Sequence, residues 1–263
     1  MSGLSNVFSA LNLDAEDDKE QIASLTTASG IDGCSKRISG KKGEGDKQNY
    51  ELTVKRAHSE SDKSHNNIHP SLSSSLSGSY KQPLVWIDLE MTGLEIEVDR
   101  ILEIACIITD GKLNKSVEGP DLVIKQSKEC LDRMGEWCRE HHAASGLTER
   151  VLQSTITEED AEEQVLNFVK NYVGSETPLL AGNSVYVDYM FLKKYMPCLA
   201  GIFPHVLVDV SSITALCVRW FPKERKTAPT KVKRHRAMDD IKESIRELKY
   251  YKENIFKGFR KSK

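Results

Sequence analysis

The sequence predicts an α/β layered domain built on a mixed five-stranded sheet, preceded by a long extension that builds no core. Three observations lead there. Two nearly continuous apolar runs, Leu84-Val85-Trp86-Ile87 and Ile101 to Thr109, have the length and composition of strands buried on both faces. Asp110-Gly111 ends the second run, a hairpin signal that points to an antiparallel partner just beyond it. From residue 158 onward the apolar period becomes helical, and the helices alternate with two short apolar strands.

Residues 1–80 are the expected extension, disordered or weakly ordered. Gly, Ser, Asp, Glu and Lys dominate it, and nine of the 22 residues from Ser59 to Tyr80 are serine, so its apolar surface is too sparse to offset the chain entropy of folding. Residues 81–263 form the expected folded domain. Strands at about 84–90, 100–109 and 114–125 make a meander. A helix follows over Glu158 to Tyr172, with Ala161, Val165, Phe168, Val169 and Tyr172 on one side. Pro178 to Gly182 reads as a buried strand, Val185 to Met196 as a helix stopped by Pro197, and Val206 to Asp209 as the last strand. Ser211 to Trp220 and Ala237 to about Ile255 supply two further helices, the second burying Ile241, Ile245 and Leu248.

Charge selects no partner: 37 Lys+Arg oppose 39 Asp+Glu in 263 residues, a formal net charge of −2. No stretch approaches the ~18 consecutive apolar residues of a membrane helix, so no membrane association is expected. The six cysteines are irregularly spaced and lack zinc-site spacing. With no apolar leader at the start, the expected setting is intracellular, cytoplasmic, with reduced thiols. Asp14, Glu16, Asp17, Asp18 and Glu20 depart from the acid-poor composition of a transit peptide, which leaves mitochondrial or other organellar targeting an open but weakly supported alternative.

The chemistry lies in the acids. Asp88 and Glu90, two residues apart at the end of an apolar strand, share one sheet face while Ile87, Leu89 and Met91 take the other. Burying both without a cation would cost several kcal/mol each. A lone pair of this kind is more often a solvent-facing strand end, but two more acidic segments sit beside apolar elements. Asp188 follows Gly182-Asn183-Ser184 at a helix start, and His235-Arg236-Ala237-Met238-Asp239-Asp240 precedes the last helix. Spacing alone does not say whether Asp239 or Asp240 enters a site. Four acids and a histidine are the inventory of a site that binds two divalent cations, Mg2+ or Mn2+, for displacement at phosphorus. The histidine is the group able to take the proton of an attacking water near neutral pH.

Trp86-Ile87-Asp88-Leu89-Glu90-Met91-Thr92-Gly93-Leu94, Gly182-Asn183-Ser184 with Asp188, and His235 to Asp240 closely resemble the oligoribonuclease branch of the DEDDh 3′-to-5′ exonucleases. The resemblance runs from about Leu84 to Phe256 and includes Glu136-Trp137-Cys138, His142 to Leu147 and Asp209-Val210-Ser211. It implies an RNase H-like fold, a homodimer, and hydrolysis of short single-stranded RNA, dinucleotides especially, to 5′-mononucleotides. It also implies Asp88, Glu90, Asp188 and Asp240 as metal ligands, with Asp240 chosen over Asp239, and His235 as general base. Leu94 and Trp137 resemble the residues that wedge and stack on terminal bases. Trp137 would otherwise read as a core aromatic. Ser184, His142 and Ser211 resemble groups near the 5′-phosphate.

One departure stands out. Relatives usually carry Tyr-Arg where this chain has His205-Val206, which removes a bidentate phosphate partner. The stretch Lys223 to Arg236, with seven basic residues against Glu224 alone, reads as a surface for steering RNA phosphates, as a nuclear signal or as a solvated loop.

Overall fold

The computed structural model describes residues 80–231 and 236–256. All but Tyr80 of the expected extension, and His235, therefore lie outside the described residues. Five strands form the sheet: β1 (Leu84–Met91), β2 (Ile101–Thr109), β3 (Ser116–Val123), β4 (Leu179–Gly182) and β5 (Leu207–Asp209). Their order is β3-β2-β1-β4-β5, antiparallel among the first three and parallel from β1 to β5. This is the mixed sheet that the apolar runs predict.

The helices are α1 (Lys128–Asp132), α2 (Glu136–Ala144), α3 (Leu147–Gln153), α4 (Glu158–Val173), α5 (Tyr186–Tyr195), α6 (Pro197–Ala200), α7 (Val210–Trp220), α8 (Pro222–Lys226) and α9 (Ala237–Tyr251). A π-helical turn, Lys252–Phe256, extends α9. On one sheet face Val85, Ile87, Leu89, Ile104, Cys106 and Ile108 pack with buried residues of α4 and α5. On the other, Trp86, Ala105 and Ile107 lie with Ile241, Ile245 and Tyr251 of α9 and Cys217 of α7. Every residue of β2 is buried, because the strand is central and covered on both faces. Trp86 is fully buried, and its Nε1 donates to Thr109 Oγ1 at 3.0 Å, so its one polar group is paired.

The structure departs locally from the sequence expectation. The β2–β3 connection spans residues 110–115, with Leu113 rather than Gly111 in the left-handed region at φ 57°. Asp110 closes it by accepting from the amides of Asn114 and Lys115. The helices α1 to α3 fill what the sequence leaves unassigned between the meander and α4. Each is too short to show a period, yet Leu131, Cys138, Leu147 and Val151 bury a third cluster over Leu102 of β2. At α4, Thr157 and Asp160 form a reciprocal capping box, which fixes where that helix starts.

Candidate active site

Strand β1 pairs with β4 only from Leu84 to Trp86, so its edge on that side opens before the strand ends. Gly182 passes close to this point, where an added Cβ would lie 3.0 Å from the carbonyl oxygen of Ile87. Beyond it the amide of Leu89 finds no strand partner and donates to Asp188 Oδ1 at 2.9 Å. The first turn of α5 thus delivers a carboxylate to the released edge of β1. Asp88 and Glu90 alternate onto the sheet face that α9 covers, as a period of two requires. The first turn of α9 lowers Asp240 onto them, and Asp88, Glu90 and Asp240 each offer an oxygen within 4.8 Å of the others.

The electrostatics of this grouping are self-opposed. Burial, then the charges of Asp188, Glu90 and Asp240, push the Asp88 carboxyl well above the ordinary range. Burial, then Asp240, Glu103 and Asp188, raise Glu90 to about 8. Burial raises Asp188 to about 7 against the stabilising bond from the Leu89 amide. Burial and the nearby Glu243 raise Asp240 to about 6. Buried Asp188 and half-buried Asp88, Glu90 and Asp240, hard oxygen donors that repel one another in this way, fit a divalent cation, which would offset the repulsion.

Glu103, which the sequence reading passed over, lies next to this group. It pairs with Glu90 across the β1–β2 ladder and is fully buried. Arg150 of α3 donates to its Oε1 at 2.9 Å, Arg236 approaches the same oxygen at 3.4 Å, and the amide of Ala237 donates to Oε2. The signal was available: Glu103 is the single charge in ILEIACIIT, and a lone acid in a strand buried on both faces demands a cation. A second buried acid, Glu247 of α9, holds Lys231 at 2.9 Å and accepts from Thr214 and Tyr251. Burial pushes that carboxyl up, but Lys231 and these hydrogen bonds outweigh it and leave it below its usual range. Two cations of the basic stretch, Lys231 and Arg236, thus serve internal acids, and Pro222–Lys226 is helix rather than loop.

The remaining expected residues surround the acids. Leu94 is half-buried in the loop after β1, which Asp99 organises by accepting from Thr92 Oγ1 at 2.7 Å and from the amide of Glu95 at 2.8 Å. Trp137 on α2 is half-buried and stacks on the His141 ring with centroids 3.8 Å apart. His142 is 2% exposed; its Nε2 donates to the carbonyl of Met91 at 2.8 Å and its Nδ1 lies 3.9 Å from Glu90 Oε2, so it stands behind Glu90. Ser184 has φ 47°, and its amide donates to Asp209 Oδ1 and Ser211 Oγ. The Ser184 hydroxyl donates to that of Ser211 at 3.2 Å, while Asp209 caps α7 by accepting from the Ser211 amide. These serines sit past the carboxyl ends of β4 and β5, where open α/β sheets place their sites.

A model of the exonuclease family matches residues 85–248. The chain is 71% identical over 183 residues to an oligoribonuclease of Arabidopsis thaliana, covering 70% of this chain and 82% of the relative. It is 52% identical over 179 residues to the mitochondrial oligoribonuclease of Homo sapiens, covering 68% and 76%. Among solved structures, E. coli exonuclease I in complex with a 5cy-dT13 oligonucleotide shares the fold with a TM-score of 0.54 at 15% identity. That match covers 67% of this chain and 42% of the exonuclease I chain.

Proposed function

Because the chain belongs to the oligoribonucleases, within the exonuclease family, we propose that it hydrolyses short single-stranded RNA, dinucleotides especially, from the 3′ end to 5′-mononucleotides. The observation that carries this reading is the convergence of Asp88, Glu90 and Asp240 within 4.8 Å, with Asp188 held beside them on the Leu89 amide. These four carboxylates would hold two divalent ions, Mg2+ or Mn2+. Such ions, when bound, would offset the charge that develops on the attacking and leaving oxygens.

The chain's own residues do the rest. His235, outside the described residues, accepts the proton of the attacking water; the new P–O bond forms as the bond to the 3′-oxygen breaks. His142, which the resemblance puts near the 5′-phosphate, is buried with its Nε2 on the carbonyl of Met91 and its Nδ1 3.9 Å from Glu90 Oε2. Leu94 and Trp137 wedge and stack on the terminal bases, a mode that tolerates any sequence. The paired hydroxyls of Ser184 and Ser211 offer donors to the 5′-phosphate. His205 and Val206 are both exposed ahead of β5, and neither supplies the fork of an arginine, which weakens selection for that phosphate. The enzyme works as a homodimer in the cytoplasm.

A time course on 5′-phosphorylated RNA of two, five and twenty nucleotides, with Mn2+ or EDTA, tests the reading in wild type and Asp188→Ala. Fast metal-dependent loss of the dimer, slow loss of the 20-mer and an inactive variant are expected. Equal rates on all lengths would make it a general exonuclease, and no cleavage with any metal would leave a nucleic-acid-binding module.

A further inference from the structure

We propose that Glu103 is a positioning residue that sets the distance between two carboxylates of the acidic cluster, Glu90 and Asp240. This rests on the metal-dependent reading of that cluster. The contacts close a ring. Glu103 is fixed opposite Glu90 by the β1–β2 register, one residue before the ladder shifts between Glu90 and Met91. Its carboxylate holds the Arg236 side chain and accepts from the Ala237 amide. The carbonyl of Arg236 in turn accepts from the amides of Asp239 and Asp240, at 2.9 and 3.0 Å, which builds the turn that carries Asp240. Asp240 then returns to Glu90 within the cluster. A shift of Glu103 is therefore passed to Asp240 through its contacts with Arg236 and the Ala237 amide and through one helical turn.

The surroundings favour positioning over simple charge storage. Arg150 reaches Glu103 from α3, so a third element braces the same carboxylate. Glu103 is 0% exposed, and an acid so placed is held in one geometry by its partners. Glu103 is itself absent from the group whose oxygens come within 4.8 Å of each other, so it acts through Glu90 and Asp240. Groups that orient metal-binding side chains from behind change metal affinity by about 10–100-fold when lost.

The test measures Mn2+ binding by isothermal titration calorimetry in the absence of RNA, together with diribonucleotide cleavage against Mn2+ concentration and the melting temperature. The proteins are wild type, Glu103→Gln, Glu103→Asp and, as a control, Glu158→Gln, which breaks the Arg100 ion pair on the opposite sheet face. Glu103→Gln is expected to weaken Mn2+ binding about 10–100-fold while kcat at saturating Mn2+ stays within about threefold, and Glu103→Asp to fall between it and wild type. Glu158→Gln is expected to lower the melting temperature and leave Mn2+ affinity unchanged. Wild-type affinity in folded Glu103→Gln, or equal weakening in Glu158→Gln, would overturn the proposal. Should Glu103→Gln not fold, Glu103→Asp decides: wild-type affinity there overturns it as well. A wild type that binds Mn2+ but cleaves no RNA would reject the functional reading alone.

Discussion

Glu90 on β1 and Glu103 on β2 stand directly opposite each other in an antiparallel ladder, two acids on the one sheet face that α9 covers. Like charges so placed are destabilising. The molecule treats the two differently: Glu103 receives Arg150 and Arg236, whereas Glu90 is left among Asp88 and Asp240.

Replacing Glu90 with Gln should therefore stabilise the metal-free protein while disabling it. At pH 8 with EDTA the variant is expected to melt higher, by roughly 4–8 °C for a gain on the order of 2 kcal/mol. Cleavage of a diribonucleotide in Mn2+ should fall at least about 100-fold. Thermal melts and initial rates check both halves, and a lower melting temperature would contradict the electrostatic account.

The same shifts set a pH dependence. Glu90, Asp188 and Asp240 titrate near 8, 7 and 6 in the fold, against about 4 in an unfolded chain. Between about pH 4 and 8 the folded state holds more protons than the unfolded one, so this contribution to stability declines as pH rises through that window. Divalent cations must displace those protons, so their affinity rises over the same range. The melting-temperature gap between Mn2+ and EDTA samples should widen from pH 5 to pH 8; a constant gap would contradict this.

Gly93 has no room for a side chain. A Cβ there would lie 2.4 Å from Asp99 Oδ2, the carboxylate that closes the loop bearing Leu94. Gly93→Ala is expected to cost about 1–3 kcal/mol of stability as these hydrogen bonds distort. The KM for diribonucleotide should rise about tenfold as Leu94 shifts, a loss of roughly 1.4 kcal/mol of binding. Denaturant melts and steady-state kinetics give the two numbers.

Ser184 adopts φ 47°, in the left-handed region, while its hydroxyl meets Ser211. Ser184→Gly should relieve about 1 kcal/mol of backbone strain and keep both amide hydrogen bonds, so the protein becomes slightly more stable. Discrimination between 5′-phosphorylated and 5′-hydroxyl dinucleotides is expected to fall, which competition kinetics would show. Unchanged discrimination would remove Ser184 from phosphate recognition.

Much of this was legible before any coordinates. β2 is visible because it is buried along its whole length and apolar but for Glu103, β1 because its first four residues are buried and apolar on both faces, and α4 and α9 because each repeats its buried positions over three or more turns. The short helices α1 to α3 were not, since one or two turns carry no readable period and take their stability from Leu102 beneath them. Gly111 is a sound turn residue for a different reason: the left-handed position falls to Leu113, while Gly111 lies against Gln82, where an added Cβ would be 2.7 Å from the backbone oxygen.

By itself, then, the sequence determined the strands and long helices, the shared face of Asp88 and Glu90, and the set of acids available for metal binding. These follow from local steric and periodic rules that act within a few residues. Only the tertiary structure decided that β1 parts from β4 in time to give its Leu89 amide to Asp188, that Asp240 enters the cluster, and that Glu103 binds Arg150 and Arg236. Those contacts join segments far apart in the chain: the Ala237 amide and Glu103 alone are 134 positions apart, and Asp88 and Asp240 stand farther apart still. They depend on sheet register and on how α9 seats against Trp86, quantities that no local pattern contains.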